Sequence, residues 1–306
     1  MSNKIIIGSR GSKLSLAYSN KVKSLILKNN PKIGKIITIN CIKTSGDIFK
    51  DKKISEVGGK NLFCKEIEDK LIKKEIDIAV HSLKDMDSIE TKGLLIQAYI
   101  KRNDPRESFV SKKFNKLSEL NKGTIGSSSR RRELQLKLLN KNINIENIRG
   151  NVDTRIEKVE KGEFDGAILA LAGLQTLNLE KYAKEKFPLK DFIPTAGQGI
   201  IAVQCREDDE FIRKIVKKIN HRETEICALA ERSFLKTLGG DCDTAVGCAA
   251  ILNKDVIELN AQLFSDDGKK VFNVAKLGKI NQPEHLGKVT GEEILQMSGS
   301  NFIKKR

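Results

Sequence analysis

Residues 102–108 read RNDPRES, and this stretch divides the pattern of the chain in two. Asp104-Pro105 interrupts whatever precedes it, because proline has no N–H for a sheet ladder and drives the residue before it out of the helical region. On the N-terminal side, strand and helix periods alternate. KIIIG, KIITINCI, IDIAVHS and GLLIQAYI read as strands. Ser12 is placed to cap a helix whose apolar face is Leu14, Ala17, Tyr18, Val22, Leu25 and Ile26, and NLFCKEIEDKLIKK supplies a second helix. After the break the alternation restarts. TIGSSS reads as a strand end, RRRELQLKLL as a helix, INIENIRG as a strand, VDTRIEKVEKG as a helix and GAILALAG as a buried strand. IPTAGQGIIAVQC, punctuated by Pro194, Gly197 and Gly199, leads into one more apolar strand. Strands alternating with helices predict an α/β class. Two similar α/β units joined by two short crossings would make a hinged cleft.

The tail has a different period. HRETEICALAERSFLKTL is a long amphipathic helix, and VGCAAIL, VIELNAQLF and KKVFNVAKL alternate as strands separated by NKD and SDDG turns, with a helix near EEILQM. This predicts a small C-terminal α+β domain with an antiparallel sheet. The expected division is residues 1–101 with 199–218 as domain 1, 102–198 as domain 2, and 219–306 as domain 3. The polar stretch from about 44 to 60 has no clear period and is a candidate active-site loop.

Composition narrows the partners. The chain has 56 Lys+Arg against 40 Asp+Glu, a net charge of +16. Lysine accounts for 43 of those cations, spread along the whole length as a solvated surface. Arginine is scarce, and five of its 13 copies (Arg130, Arg131, Arg132, Arg149 and Arg155) fall between 130 and 155. The cluster carries the signal and the net charge is background. No apolar run approaches a membrane span and no signal-peptide pattern opens the chain. The six cysteines show neither a CxxC pair nor metal spacing. A reduced, cytoplasmic protein is expected, with no metal, no membrane partner, and most cysteines acting as small buried apolar residues.

Ligands of α/β sheets bind beyond the carboxyl ends of the strands. Four motifs stand at such ends: Ser9-Arg10-Gly11-Ser12, His81-Ser82-Leu83-Lys84-Asp85, Gly126 to Arg132, and Arg149-Gly150-Asn151. Each alone is ordinary turn chemistry plus a helix cap, whereas four together point to a site. No GxxxxGK[ST] or GxGxxG is present. With no Trp, three Tyr and no aromatic-interleaved basic strand, the chain suits nucleic acid poorly. Arginine presents a planar fork that matches a carboxylate bidentately. Several such forks with hydroxyls beside them suit a small ligand bearing several carboxylates.

GSRGSKLSLAYS, KTSGD, GGKNLFCKEIEDKL, DIAVHSLKDM, RNDPRESFVS, GSSSRRRELQL, IRGNVDTRIEKV, AILALAGL, PTAGQGIIAVQCR and LGGDCDTAVG resemble, in order from about residue 4 to 250, the signature blocks of the porphobilinogen deaminase family. The resemblance implies three domains, the first two like a periplasmic-binding-protein clamp. It implies a monomer with one dipyrromethane cofactor, held covalently by a cysteine that falls on Cys242. On that primer, porphobilinogen units are condensed with release of ammonia, and hydroxymethylbilane is then hydrolysed off for haem biosynthesis. By the same resemblance Ser127, Ser129, Arg131, Arg132, Arg149 and Arg155 hold the cofactor. Arg10, Ser12, Arg149, Arg155 and Gln198 hold substrate, and Asp85 with Lys84 is catalytic. Arg130 reads as surface or auxiliary.

Asp241 and Asp243 flank Cys242 and disfavour its thiolate, the reactive form. Attachment happens once per protein lifetime, so a sluggish thiol suffices. Asp87, Ala245 and Thr176 depart from the family pattern, the first two where Pro is usual and the third where a basic residue is common. The rival readings are a cytosolic solute-binding clamp for a polycarboxylate without catalysis and a basic nucleic-acid binder. The first gives no role to Cys242, and the second rests on the scattered lysines alone.

Overall fold

The computed structural model describes residues 4–48, 63–239, 244–265 and 267–299. Its contacts divide the chain into two compact units, Met1–Arg102 with Ile200–Ala228, and Asn103–Gly199 with Leu229–Arg306.

The first unit contains β1 (Lys4–Arg10), α1 (Lys13–Asn29), β2 (Ile36–Ile42), α2 (Ser45–Ile48), α3 (Lys65–Ile72), β3 (Ile78–Ser82) and β4 (Leu94–Ile100). Its sheet runs β2-β1-β3-β10-β4, where β10 (Ile201–Arg206) comes from the far side of the second unit in sequence. β1 lies parallel to β2 and β3, whereas β10 is antiparallel to both β3 and β4. Both faces are covered. Ile5, Ile7, Ile78 and Val80 join one core with Tyr18, Val22 and Ile26 of α1 and with Ile212, Ile215 and Val216 of α7 (Glu210–Lys217). The alternate residues Ile6 and Ala79 face a second core with Ile67 and Leu71 of α3. A sheet buried on both sides needs apolar residues on successive positions, which is why these strands read as unbroken apolar runs.

The second unit repeats the plan. It contains β5 (Glu107–Val110), β6 (Thr124–Gly126), α4 (Arg130–Leu139), β7 (Asn144–Glu146), α5 (Val152–Glu160), β8 (Gly166–Ala170), α6 (Leu171–Thr176) and β9 (Ala183–Lys186), with sheet order β7-β6-β8-β5-β9. β6 is parallel to β7 and β8, and β5 is antiparallel to β8 and β9. In each sheet the antiparallel fourth strand is the first one laid down after the chain changes units. The crossing segments meet at Asn103 N donating to Gly199 O at 3.0 Å. Gly199 is required there, since its φ is +84° and a Cβ would lie 2.6 Å from Asn103 O.

α8 (Arg222–Leu238) leads to the three-stranded antiparallel sheet β11 (Val246–Asn253), β12 (Val256–Phe264) and β13 (Val271–Lys279), and α9 (Pro283–Ser298) follows. This sheet groups with the second unit. Three expectations are revised. GAILALAG is a strand only to Ala170, where α6 begins. The helix expected near EEILQM starts at Pro283, nine residues before Glu292. RNDPRES is more than a break, because Glu107 and Ser108 already belong to β5. Of the cysteines, Cys64, Cys205, Cys227 and Cys248 are buried and Cys41 is exposed. Cys242, with Asp241 and Asp243, lies outside the described residues, as do residues 49–60 of the expected loop.

Candidate active site

In the first unit, the pairing Ile7↔Ile78 sets β1 and β3 side by side and parallel, so their carboxyl ends share one edge. β1 delivers Arg10, whose guanidinium stacks on the Phe63 ring at 4.2 Å. Ser12 follows as the N-cap of α1. Its hydroxyl accepts from Ser15 N at 3.2 Å and donates to Ser15 Oγ at 2.8 Å. β3 runs into a single 3₁₀ turn, Leu83–Asp85, closed by Met86 N donating to Leu83 O. Leu83 is buried beneath it, while Lys84 and Asp85 are half-buried. Asp85 is the last residue of that turn, so it caps no helix. Among the described residues its carboxylate makes no ion pair and no side-chain hydrogen bond. Its backbone carbonyl accepts from Cys64 Sγ at 3.5 Å, at the start of α3. Asp87 caps its own turn, accepting from Ile89 N.

In the second unit, β6 and β7 are parallel neighbours, and the segments leaving them carry the serines and arginines. Ser129 caps α4 by accepting from Arg132 N, and buried Ser127 accepts from Ser129 N at 3.3 Å. Capping starts α4 at the arginine run, which fans its three guanidinium groups apart. Arg130 is exposed and pairs with Glu133 at 2.7 Å. Arg131 and Arg132 turn inward onto Glu107, a residue of 0% exposure that the sequence reading did not single out. Arg132 grips it bidentately through Nε at 2.9 Å and Nη2 at 2.8 Å, and its Nη1 donates to Ile168 O. Arg131 donates from Nη2 to Glu107 at 2.7 Å and from Nη1 to Ile193 O at 2.8 Å. One carboxylate therefore serves two buried guanidinium groups.

Arg155, one turn into α5, donates from Nε to Gly150 O at 2.8 Å. Burial, then the charges of Arg132 and Arg149, push its guanidinium down to about 10. Burial is the larger cause, and the two neighbouring cations add to it, so three guanidinium groups are gathered at this place. Gln198, fully buried, donates from Nε2 to Pro105 O at 2.8 Å. The turn that holds it is tied by Gly197 N to the buried carboxylate of Glu231 on α8, which also accepts from Ala250 N. Thr176 accepts from Asn103 Nδ2 at 2.9 Å, and Ala245 packs with Leu134 and Phe264. Among the described residues no cluster of His, Cys, Asp and Glu could hold a metal, and no helix is long and apolar enough to cross a membrane.

Residues 5–214 match the dipyrromethane cofactor-binding domain of porphobilinogen deaminase, and residues 225–296 match the porphobilinogen deaminase C-terminal domain. The chain belongs to the porphobilinogen deaminase family. Curated relatives of that name include one from Coxiella burnetii, 36% identical over 302 residues, covering 98% of this chain and 97% of the relative. Another, from Desulforamulus reducens, is 38% identical over 306 residues, covering 100% of this chain and 98% of the relative. Solved structures with some likeness include the BvgS VFT2 domain of Bordetella pertussis, with TM-score 0.42 and 12% identity over 71% of this chain and 86% of that one. An arginine transport-system periplasmic binding protein from Legionella pneumophila gives TM-score 0.39 and 14% identity over 71% and 92%. Those likenesses are remote, and the α/β class rests on the chain's own two mixed sheets. The porphobilinogen deaminase cofactor suits the second unit's donors, because a group bearing several carboxylates matches the guanidinium groups of Arg132, Arg149 and Arg155, which lie near enough to act on one another.

Proposed function

We propose that the chain is a transferase that condenses four porphobilinogen molecules head-to-tail, releasing ammonia at each addition, and then hydrolyses off hydroxymethylbilane for haem biosynthesis. The observation that carries this reading is the gathering of Arg132, Arg149 and Arg155 on the segments that follow the parallel strands β6 and β7, in a chain of the porphobilinogen deaminase family. A growing chain of pyrrole rings, each with an acetate and a propionate, accumulates the matching negative charge. The dipyrromethane, attached through Cys242, supplies the free pyrrole carbon from which the product grows.

In this reading Arg149 and Arg155 bind carboxylates of cofactor and substrate, with Ser127 and Ser129 as further donors. Arg131 and Arg132 take part with the hydrogens that Glu107 leaves available on their forks. Arg10, Ser12 and Gln198 hold the incoming ring. Loss of ammonia from porphobilinogen leaves a cationic azafulvene, and joining it to the next ring leaves positive charge on pyrrole nitrogen until a proton departs. The Asp85 carboxylate, rigidly mounted after β3, stabilises that charge where it develops. It also accepts and passes on the departing proton. Lys84, its neighbour in the turn, is the accompanying cation. The three-domain division, a monomeric state and a cytoplasmic location, with neither nucleic acid nor membrane as partner, belong to the same proposal.

The intact mass of the purified protein tests it. An excess equal to two linked pyrrole units on the Cys242 peptide is expected, together with consumption of porphobilinogen. Cys242→Ser should fold, carry no excess mass and make no product. Normal turnover by that variant would refute the reading.

A further inference from the structure

α3 and its capping residue touch the chain around Lys84 and Asp85 at two points and reach it at a third through Gln204 of β10. Cys64 at its start donates to Asp85 O. One helical turn later, Glu68 is 5% exposed and accepts through Oε2 from Thr91 Oγ1 at 2.7 Å, just beyond the turn. Through Oε1 it accepts from Gln204 Nε2 at 2.9 Å, and Gln204 Oε1 lies 3.2 Å from Nε2 of His81, the residue three before Lys84. Gln204 is fully buried and His81 is 4% exposed. The pairing of β10 with β3 places both side chains on the sheet face that α3 covers.

The polarity of this chain follows from its members. A carboxylate only accepts, so the Gln204 amide must turn its nitrogen to Glu68. Its oxygen then faces His81, and the imidazole must supply the hydrogen from Nε2, which in the neutral ring leaves Nδ1 without a proton. We propose that Glu68, acting through Gln204, is a positioning residue that holds His81 as the neutral, Nε2-protonated imidazole beside Asp85. The proposal rests on the catalytic reading of Asp85 for its purpose. A carboxylate that must stabilise a developing cation is weakened if an imidazolium already pairs with it. The amide between Glu68 and His81 delivers a hydrogen-bond acceptor without placing a full negative charge on the ring. Burial depresses the pKa of His81, against the opposing pull of Glu68 from α3, Gln204 from β10 and Asp85 from the turn.

The chain has three histidines, His81, His221 and His285, so an imidazole ¹⁵N–¹H spectrum of labelled full-length protein is readable, with His81→Asn assigning the signal. The wild type should show His81 neutral and protonated on Nε2 across the range in which the protein stays folded. Glu68→Gln offers Gln204 both a donor and an acceptor, so the tautomer should become mixed while the far-ultraviolet spectrum is unchanged. The same variant should lower kcat by about ten- to a hundredfold at unchanged KM, the effect of a misplaced reacting group. An imidazolium or an Nδ1-protonated His81 in the wild type would overturn the proposal, as would an unaltered tautomer in Glu68→Gln. Normal turnover by Asp85→Asn alongside the expected spectra would instead overturn the catalytic reading of Asp85 and leave the tautomer lock standing.

Discussion

Replacing Glu107 by Gln removes one negative charge from between two buried guanidinium groups. Oε1 of Glu107 accepts from Arg131 Nη2 and Arg132 Nε, and Oε2 accepts from Arg132 Nη2. Whichever way a Gln amide is turned, its NH₂ meets at least one guanidinium donor, so a hydrogen bond is lost and two cations remain uncompensated. Breaking a buried ion pair by neutralising one partner costs about 3–5 kcal/mol. For a unit of this size each kcal/mol lowers the melting temperature by about 2–4 °C, which gives a fall of roughly 6–20 °C. Arg131→Met should cost less, because it loses the Arg131 bonds to Glu107 and Ile193 O but leaves Glu107 with Arg132 as a neutral bidentate pair and Ile193 O with Gln135 Nε2 as donor. Differential scanning calorimetry of the two variants against wild type measures both values. A loss below about 1 kcal/mol for Glu107→Gln, the scale of an ordinary hydrogen bond, would refute the account. So would a larger loss for Arg131→Met.

Asp85→Asn should slow each ring addition by about a hundredfold or more, the scale of one removed charge-stabilising group, with little change in stability, and single-turnover assays measure it. Arg149→Lys and Arg155→Lys keep the charge but lose the fork, and should impair cofactor loading or stall elongation by mass spectrometry. Lys112→Gln and Lys141→Gln, at exposed positions, should leave activity within error, and equal behaviour of the two sets would reduce binding to bulk charge. Because burial depresses the pKa of His81, the unfolded chain takes up a proton near pH 6.5 that the folded chain refuses. Stability should therefore fall by at most about 1.4 kcal/mol per pH unit below about pH 6.5, and that component should vanish in His81→Asn in paired urea titrations.

What could be read from residues alone follows a physical line. β1, β3 and β10 announce themselves as apolar runs, and α4 begins at Arg130 because Ser129 is a recognisable cap. β5 was hidden because its first two residues, Glu107 and Ser108, are polar yet buried, and the partners that make this tolerable lie 24 to 61 positions away. β9, AKEK, is an edge strand with polar residues on its open side, so it carries no apolar alternation. The start of α9 was obscured by Gly287 and Gly291, which lower helix propensity. They sit where a Cβ would strike Ala230 O at 2.2 Å and Thr237 at 2.8 Å on α8. The arginine cluster stood out because arginine is rare in this chain. Glu107 and Glu68, the buried acids that hold it and that brace the strand leading to Asp85, look like any other among 40 acidic residues.

The position of β10 bears on how the chain is made. In the order β2-β1-β3-β10-β4, the fourth strand separates β3 from β4, and it is synthesised a hundred residues after β4. Until residues 201–206 leave the ribosome, β4 has no neighbour and the first sheet stays open along β3. The second sheet has no such gap, because β5 through β9 come from one continuous stretch, 107–186. The sheet begun second is thus the first that can close, and the N-terminal third waits, with two strand edges exposed, for a piece of chain still to be translated.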